Sequence, residues 1–144
     1  MKTTSSIHYL DVLGDRVEGS HGNFFCIRMK GGNGQLVTEI DQNGHPYYTD
    51  AVSNTTGLND GAWHYIAAVR QGTSLKVYIN GNLDVSVTAQ GLANLTGSKP
   101  FKLGNSYSGF PPADIEFKDV RIYNGKALCP KRISEIFDQG RPIC

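Results

Sequence analysis

The chain has 144 residues and a formal net charge of +1. This length predicts one domain, residues 1–144, large enough to bury a sizeable core. The balanced charge and the lack of a Lys/Arg run argue against nucleic acid as a partner, and no apolar stretch reaches the roughly 18 residues of a membrane span. Residues 1–6 contain no apolar run, so the sequence given does not predict a signal peptide.

Short runs of β-branched and aromatic residues, separated by turn clusters rich in Gly and Asn, predict a series of strands. Between two of these runs, Asn80-Gly81 supplies the two positive-φ positions of a type I′ hairpin turn. The pattern predicts an all-β fold, an antiparallel β-sandwich. In chain order, the predicted strands are 7–12, 24–29, 36–40, 47–52, 63–69, 75–79, 83–87, 101–103 and 115–123.

The last part of the chain predicts one short C-terminal helix. Pro130 suits a first helical position, and Ile133, Ile136 and Phe137 form an i, i+3, i+4 stripe. Gly140 and then Pro142 are expected to end the helix. Such a helix would cover one end of the sandwich.

Several segments together carry a resemblance to a known family. Residues 59–64 resemble an Asp-Gly-x-Trp-His strand, 75–81 resemble a Leu-x-x-Tyr-x-Asp/Asn-Gly hairpin, and 119–124 resemble a closing strand. In this order and spacing, the chain from about residue 14 onward resembles the laminin-G-like (concanavalin A-like) lectin family, in a short, bacterial-looking variant. The resemblance implies a jelly-roll sandwich that binds sugars, glycosaminoglycans or protein surfaces.

The chain is short for this family, whose domains usually open with strands that pair with the closing strand. Only six residues precede Ile7, too few to supply that partner. An unpaired strand exposes backbone donors and acceptors. We therefore expect the closing strand, residues 115–123, to be covered by the N-terminal segment in a different register, or to be completed by a neighbouring chain as a homo-oligomer.

Glu39 and Asp41 are the strongest candidates for a catalytic pair, because residues i and i+2 of a strand point to the same face. They resemble the start of the Glu-x-Asp-x-(x)-Glu motif of laminarinase-type glycoside hydrolases. The following residues are Gln42, Asn43 and Gly44, so the second carboxylate that such enzymes need about 5–5.5 Å away is missing. We expect no enzyme here, and interpret Glu39 and Asp41 either as ligand contacts or as solvated strand residues.

Sugars offer hydroxyls for charged and amide side chains, and an apolar ring face that stacks on aromatic rings. Polar and aromatic residues of the first half of the chain, together with one tyrosine of a later loop, suit this chemistry. Alternatively, the tyrosines fill the core or cover a sandwich edge. Trp63 leads an apolar strand and is expected in the core. The candidate carbohydrate-binding residues are Arg16, His21, Arg28, Glu39, Asp41, Tyr47, Tyr48 and Tyr107.

The resemblance also implies calcium as a candidate ion, held by carboxylates and carbonyls. Asp60 and Asp119 are the candidate ligands, although Lys118 stands where the family usually has a second acid.

Among the cysteines, Cys26 is expected to be a small buried residue. Cys129 and Cys144 bracket the helix, and the alternatives are free thiols or a disulfide that would contribute about 3 kcal/mol and indicate an oxidising compartment.

The sequence predicts a non-catalytic carbohydrate-binding module in an extracellular, periplasmic or cell-surface setting, with a carbohydrate or glycoconjugate as its partner. The first alternative is a protein-interaction or structural domain of the same fold without sugar affinity. The second alternative is a glycoside hydrolase related to laminarinase-type enzymes.

Overall fold

In a computed structural model, the described residues are 1–16, 21–42, 48–96, 99–104 and 114–139. They contain strands, one 3-10 turn at Gly31–Asn33 and one α-helix. The predicted strands are recovered within a few residues, except for the last. The strands are β1 His8–Gly14, β2 Phe24–Lys30, β3 Leu36–Asp41, β4 Thr49–Val52, β5 Ile66–Gln71, β6 Ser74–Ile79, β7 Asn82–Thr88 and β8 Lys102–Leu103, and the helix is α1 Pro130–Gln139.

The strands form two antiparallel sheets. The first has five strands in the order β4-β3-β2-β1-β8, and the second has three in the order β5-β6-β7. Along each strand, every second side chain points into the space between the two sheets, because the side-chain period of a strand is two. The predicted antiparallel β-sandwich is confirmed. The core contains Leu10, Val12, Ile27, Met29, Leu36, Ile40, Ala51, Leu58, Leu75, Val77 and Ile79.

The β6–β7 hairpin and α1 follow the sequence pattern. Asn80 and Gly81 have φ values of 50° and 82°, as a type I′ turn requires. Ile133 and Ile136 of α1 are buried, and the Phe137 ring lies 5.7 Å from that of Tyr65. The apolar stripe therefore anchors the helix beside the hairpin turn, and the predicted turn and apolar stripe are confirmed. Gly140 and Pro142, which were predicted to end the helix, lie outside the described residues.

The predicted closing strand over residues 115–123 is wrong. Within the described residues of that segment, only Glu116 forms a bridge, and its partner is Lys2. Asp119 has a φ of 55°, which turns the chain away from an extended path. The N-terminal segment does contact this part of the chain, as the first of the two alternatives expected, through the single Lys2–Glu116 bridge.

The strand predicted from Trp63 begins only at Ile66, and Trp63 is not in the core. The β5–β6 ladder starts where Ile66 pairs with Ile79. The residue before Ile66, Tyr65, is outside the ladder because its backbone N–H donates to the Asn80 side chain at 3.0 Å. Trp63 is 49% exposed. Its position before the ladder leaves its ring at the surface.

Candidate functional site

Most of the predicted site residues lie on one face of the five-stranded sheet, the face that points away from the sandwich core. Along β3, Leu36 and Ile40 belong to the core, so Glu39 and Asp41 point to the other side. The register pairs Cys26 with Glu39 and Phe24 with Asp41. Two strands thus bring acidic, basic and thiol side chains to a common surface.

Glu39 is the centre of this surface. Its Oε2 accepts a hydrogen bond from Nη1 of Arg16, and its Oε1 accepts one from Nη2 of Arg28. The Cys26 thiol donates to Oε2 at 3.2 Å, and the Tyr48 hydroxyl donates to Oε1 at 3.3 Å. We call these five residues, Arg16, Cys26, Arg28, Glu39 and Tyr48, the Glu39 cluster.

The centre of the Glu39 cluster is buried, whereas Arg16 and Tyr48 are only partly buried. The exposed fractions of the Arg28 and Glu39 side chains are 6% and 4%. Burial alone would raise the pKa of Glu39, but the charge and hydrogen bond of Arg28 and the charge of Arg16 lower it below its ordinary value. Burial and the Glu39 carboxylate raise the pKa of the Cys26 thiol. Glu39 is therefore held as a carboxylate and Cys26 as a neutral thiol.

A second pair lies beside the Glu39 cluster. His21 Nδ1 is 3.0 Å from Asp41 Oδ2, and the Asp41 side chain is 0% exposed while that of His21 is 63% exposed. The His21 ring meets the Tyr48 ring edge-on at 6.1 Å. Asp41 thus holds an imidazole that faces solvent at the margin of the cluster.

The interpretation of Glu39 and Asp41 as solvated strand residues is wrong. They share one face, as the strand period predicted, but that face is covered. The structure brings together Arg16, His21, Arg28 and Tyr48 around them. Tyr47 and Tyr107 lie outside the described residues, so their assignment stays a prediction.

Two further residues of β1 belong to this surface and were not predicted. Asp11 is buried and lies opposite Arg28 in the β1–β2 register, and the Tyr9 ring is 4.5 Å from the Arg28 guanidinium carbon. Cys26, predicted only as a small buried residue, is confirmed as buried and is also part of the cluster. Asp11 and Tyr9 could not be predicted without the pairing of β1 with β2. The register of that pair contains irregularities, which the alternation of residue types along the sequence does not reveal.

The candidate calcium ligands have protein partners. Asp60 Oδ1 accepts from the Ala62 N–H at 2.8 Å and lies 2.9 Å from His64 Nε2. Asp119 forms a two-point ion pair with Arg121, with both contacts at 2.7 Å. Within the part of the chain that the structure describes, no three His, Cys, Asp or Glu side chains group as a metal site. Calcium at these positions stays a prediction.

The predicted disulfide is also not tested. Cys129 is exposed, and its backbone carbonyl accepts from the Ile133 N–H at 3.2 Å at the start of α1. Cys144 lies outside the described residues. The bridge between them stays a prediction.

The sequence matches the family described as the concanavalin A-like lectin/glucanases superfamily over residues 2–134. The chain belongs to this superfamily. The two-sheet sandwich with its short C-terminal helix is the fold that this membership implies. Among the helices that the structure describes, none is long and apolar enough to span a membrane.

Two individual proteins are similar to this member of the superfamily. One is the rat (Rattus norvegicus) protein "Sushi, von Willebrand factor type A, EGF and pentraxin domain-containing protein 1", with 28% identity over 94% of this chain but only 4% of the relative. The other is a crystal structure of an S-layer domain-containing protein from Clostridium thermocellum. It has 20% identity, a TM-score of 0.48, and coverage of 91% of this chain and 64% of that one. The chain thus spans less than two thirds of either protein.

Proposed function

We propose that this domain is a non-catalytic carbohydrate-recognition module of an extracellular or cell-surface protein. Its saccharide would bind at the margin of the Glu39 cluster, against His21, Arg16 and Tyr48. The observation that carries the proposal is the His21–Asp41 pair, in which a fully buried carboxylate positions an exposed imidazole beside a tyrosine ring. Imidazole nitrogens form hydrogen bonds with sugar hydroxyls, and aromatic rings pack against the apolar face of a pyranose.

The state of Glu39 argues against a role as the acid catalyst of a glycoside hydrolase. A retaining or inverting glycosidase needs one carboxylic acid that is protonated at working pH. Glu39 is paired with Arg16 and Arg28, and its pKa is lowered, which is the opposite of an acid catalyst. We infer that Arg28 and Glu39 position the surface residues, and that Arg16 and His21 contact the ligand.

A glycan array with purified protein tests this proposal. We expect wild type to bind a defined set of glycans, and His21→Ala, shown to be folded by its melting transition, to lose at least tenfold in affinity. His8→Ala is the matched control, because His8 is an exposed histidine at the opposite end of β1 from Gly14, the partner of Cys26. Equal loss in both variants would reject this site, and no glycan signal for wild type would favour a protein-interaction domain.

A further inference from the structure

The cations of the Glu39 cluster are already engaged by carboxylates of the protein. Arg16 and Arg28 both form ion pairs with Glu39. The buried Asp11 lies opposite Arg28 in the β1–β2 register. The two guanidiniums can still donate N–H groups to a ligand, because each has five, but they offer it no unbalanced positive charge.

Asp50 adds an exposed carboxylate at the margin of the cluster. It is paired with Glu39 in the β3–β4 register, so both side chains lie on the same face of the sheet, and Asp50 is exposed. It follows Tyr48 by two residues. Burial, Glu39 and Asp50 together raise the pKa of the Tyr48 hydroxyl. The charge of Asp50 therefore acts on the tyrosine beside which a saccharide would bind.

Two lysines point to the same face of the sheet, but from a distance. Lys102 on β8 lies four strand spacings from Asp50, which is about 19 Å. Lys30 lies four residues past the partner of Glu39 on β2, which is about 13 Å along the strand. Exposed charges separated by more than about 10 Å are largely screened at 0.1 M salt. Neither lysine therefore offsets Asp50.

The excess of acids does not depend on the parts of the chain beyond the described residues. The segments between 17 and 113 that lie outside them contain one acid, Glu18, and no lysine or arginine. Four carboxylates of the described surface face two guanidiniums, and a proton on His21 would not reverse this excess. These carboxylates belong to Asp11, Glu39, Asp41 and Asp50.

We propose that the site takes neutral saccharides, and that Asp50 rejects sugars that carry a carboxylate or a sulfate. An acidic sugar would bring its charge close to Asp50 with no unbalanced cation to compensate it. The hydroxyls of a neutral sugar can instead donate hydrogen bonds to the same carboxylate. Specificity then comes from repulsion of the wrong ligand as well as from contacts with the right one. This inference rests on the proposed function and names the class of sugar that it would use.

The test uses an array of matched glycan pairs. Oligosaccharides that end in glucose, galactose or N-acetylglucosamine are each printed beside an analogue whose terminal sugar carries a sulfate or has its C6 oxidised to a carboxylate. At about 50 mM sodium chloride, we expect wild type to bind the neutral member at least tenfold more tightly than the acidic member. At about 500 mM, this preference should fall at least threefold, because salt screens an exposed charge.

A pair of variants checks the role of Asp50. Asp50→Asn removes the charge at nearly constant size and should reduce the preference for the neutral member at least threefold. Asp138→Asn is the matched control, since Asp138 is an exposed acid of α1, and it should leave the preference unchanged. Both residues are exposed, so a melting transition close to that of wild type verifies that each variant is folded.

The outcomes separate this inference from the function on which it rests. Equal or tighter binding of the acidic members by wild type would overturn the inference and leave carbohydrate recognition standing. A preference that is unchanged in Asp50→Asn, or that changes equally in both variants, would overturn the role of Asp50. No binding to any glycan would reject carbohydrate recognition, and this inference with it.

Discussion

Arg28 and Glu39 lie on neighbouring strands and form an ion pair that is almost completely buried. The Tyr9 ring packs on the Arg28 guanidinium, and Arg16 supplies a second cation to Glu39. Charges taken out of water are tolerated only when partners compensate them. The Glu39 cluster therefore joins side chains of β2 and β3 and fixes the positions of the residues around Glu39.

The first prediction concerns the removal of the Glu39 charge. Glu39→Gln keeps the size of the side chain but leaves the Arg16 and Arg28 charges without their anion, and should lower the free energy of unfolding by about 3 kcal/mol. Urea unfolding measures it. Glu135→Gln is the matched control, because the Arg132–Glu135 pair is exposed and should contribute less than about 1 kcal/mol. Similar losses in both variants would contradict the importance of burial.

The second prediction concerns pH. The folded-state pKa of Glu39 lies below its ordinary value of 4.5, so ionised Glu39 stabilises the fold above that pH. This stabilisation is lost as the pH falls through the lower folded-state pKa. The difference in unfolding free energy between wild type and Glu39→Gln should therefore shrink from pH 6 to pH 3. A difference that stays constant over this range would show that the charge of Glu39 is not the stabilising element.

The third prediction concerns Thr38, which lies on the core side of β3. Its side chain is 0% exposed, and its hydroxyl has no hydrogen-bond partner among the described residues. Thr38→Val removes a buried polar atom at nearly constant volume and should stabilise the protein by about 1 kcal/mol.

The matched control for Thr38→Val is Thr3→Val. The Thr3 hydroxyl donates to the Asp114 carbonyl at 2.6 Å and accepts from the Ser5 N–H at 3.0 Å, so the same chemical change should cost about 1–2 kcal/mol there. Thermal unfolding of both variants gives the signs, and destabilisation by Thr38→Val would contradict the prediction.

The fourth prediction concerns the contact between the hairpin turn and α1. Gly81 has a φ of 82°, and a Cβ placed there would lie 2.8 Å from Cδ1 of Phe137. Gly72 also has a positive φ, 58°, but nothing lies within 4 Å of its added Cβ. Gly72→Ala should cost about 1 kcal/mol for backbone strain alone, and Gly81→Ala at least 1 kcal/mol more, because Phe137 must move. Chemical denaturation of both variants measures the difference, and equal costs would show that the helix does not pack on the turn.

Local sequence features were sufficient to predict much of the fold. Alternation identified the strands, Asn80-Gly81 identified the hairpin turn, and the stripe of Ile133, Ile136 and Phe137 identified the helix. These signals work because each depends on the backbone preferences of adjacent residues. The closing strand was predicted wrongly for the complementary reason: a strand needs a partner edge, and β-forming residues at 115–123 do not provide one.

The candidate site shows the same division. The strand period correctly put Glu39 and Asp41 on one face, and their chemistry singled them out together with Arg16, His21 and Arg28. Whether that face meets water depends on what covers it, and this cannot be inferred from the strand itself. Trp63 is the opposite case, since an apolar residue at the start of a predicted strand lies half-exposed beside a groove.

The sequence by itself determined the strand pattern, because strands follow from local periodicity, and its motifs match the superfamily over residues 2–134. Only the tertiary structure decided which charges are buried and which partner each one has. Those properties arise from contacts between segments far apart in the chain, such as Arg28 with Glu39 or Lys2 with Glu116. The solvation of a charged side chain and the partner that it pairs with depend on such long-range contacts, whereas periodicity depends only on residues that are adjacent in the sequence.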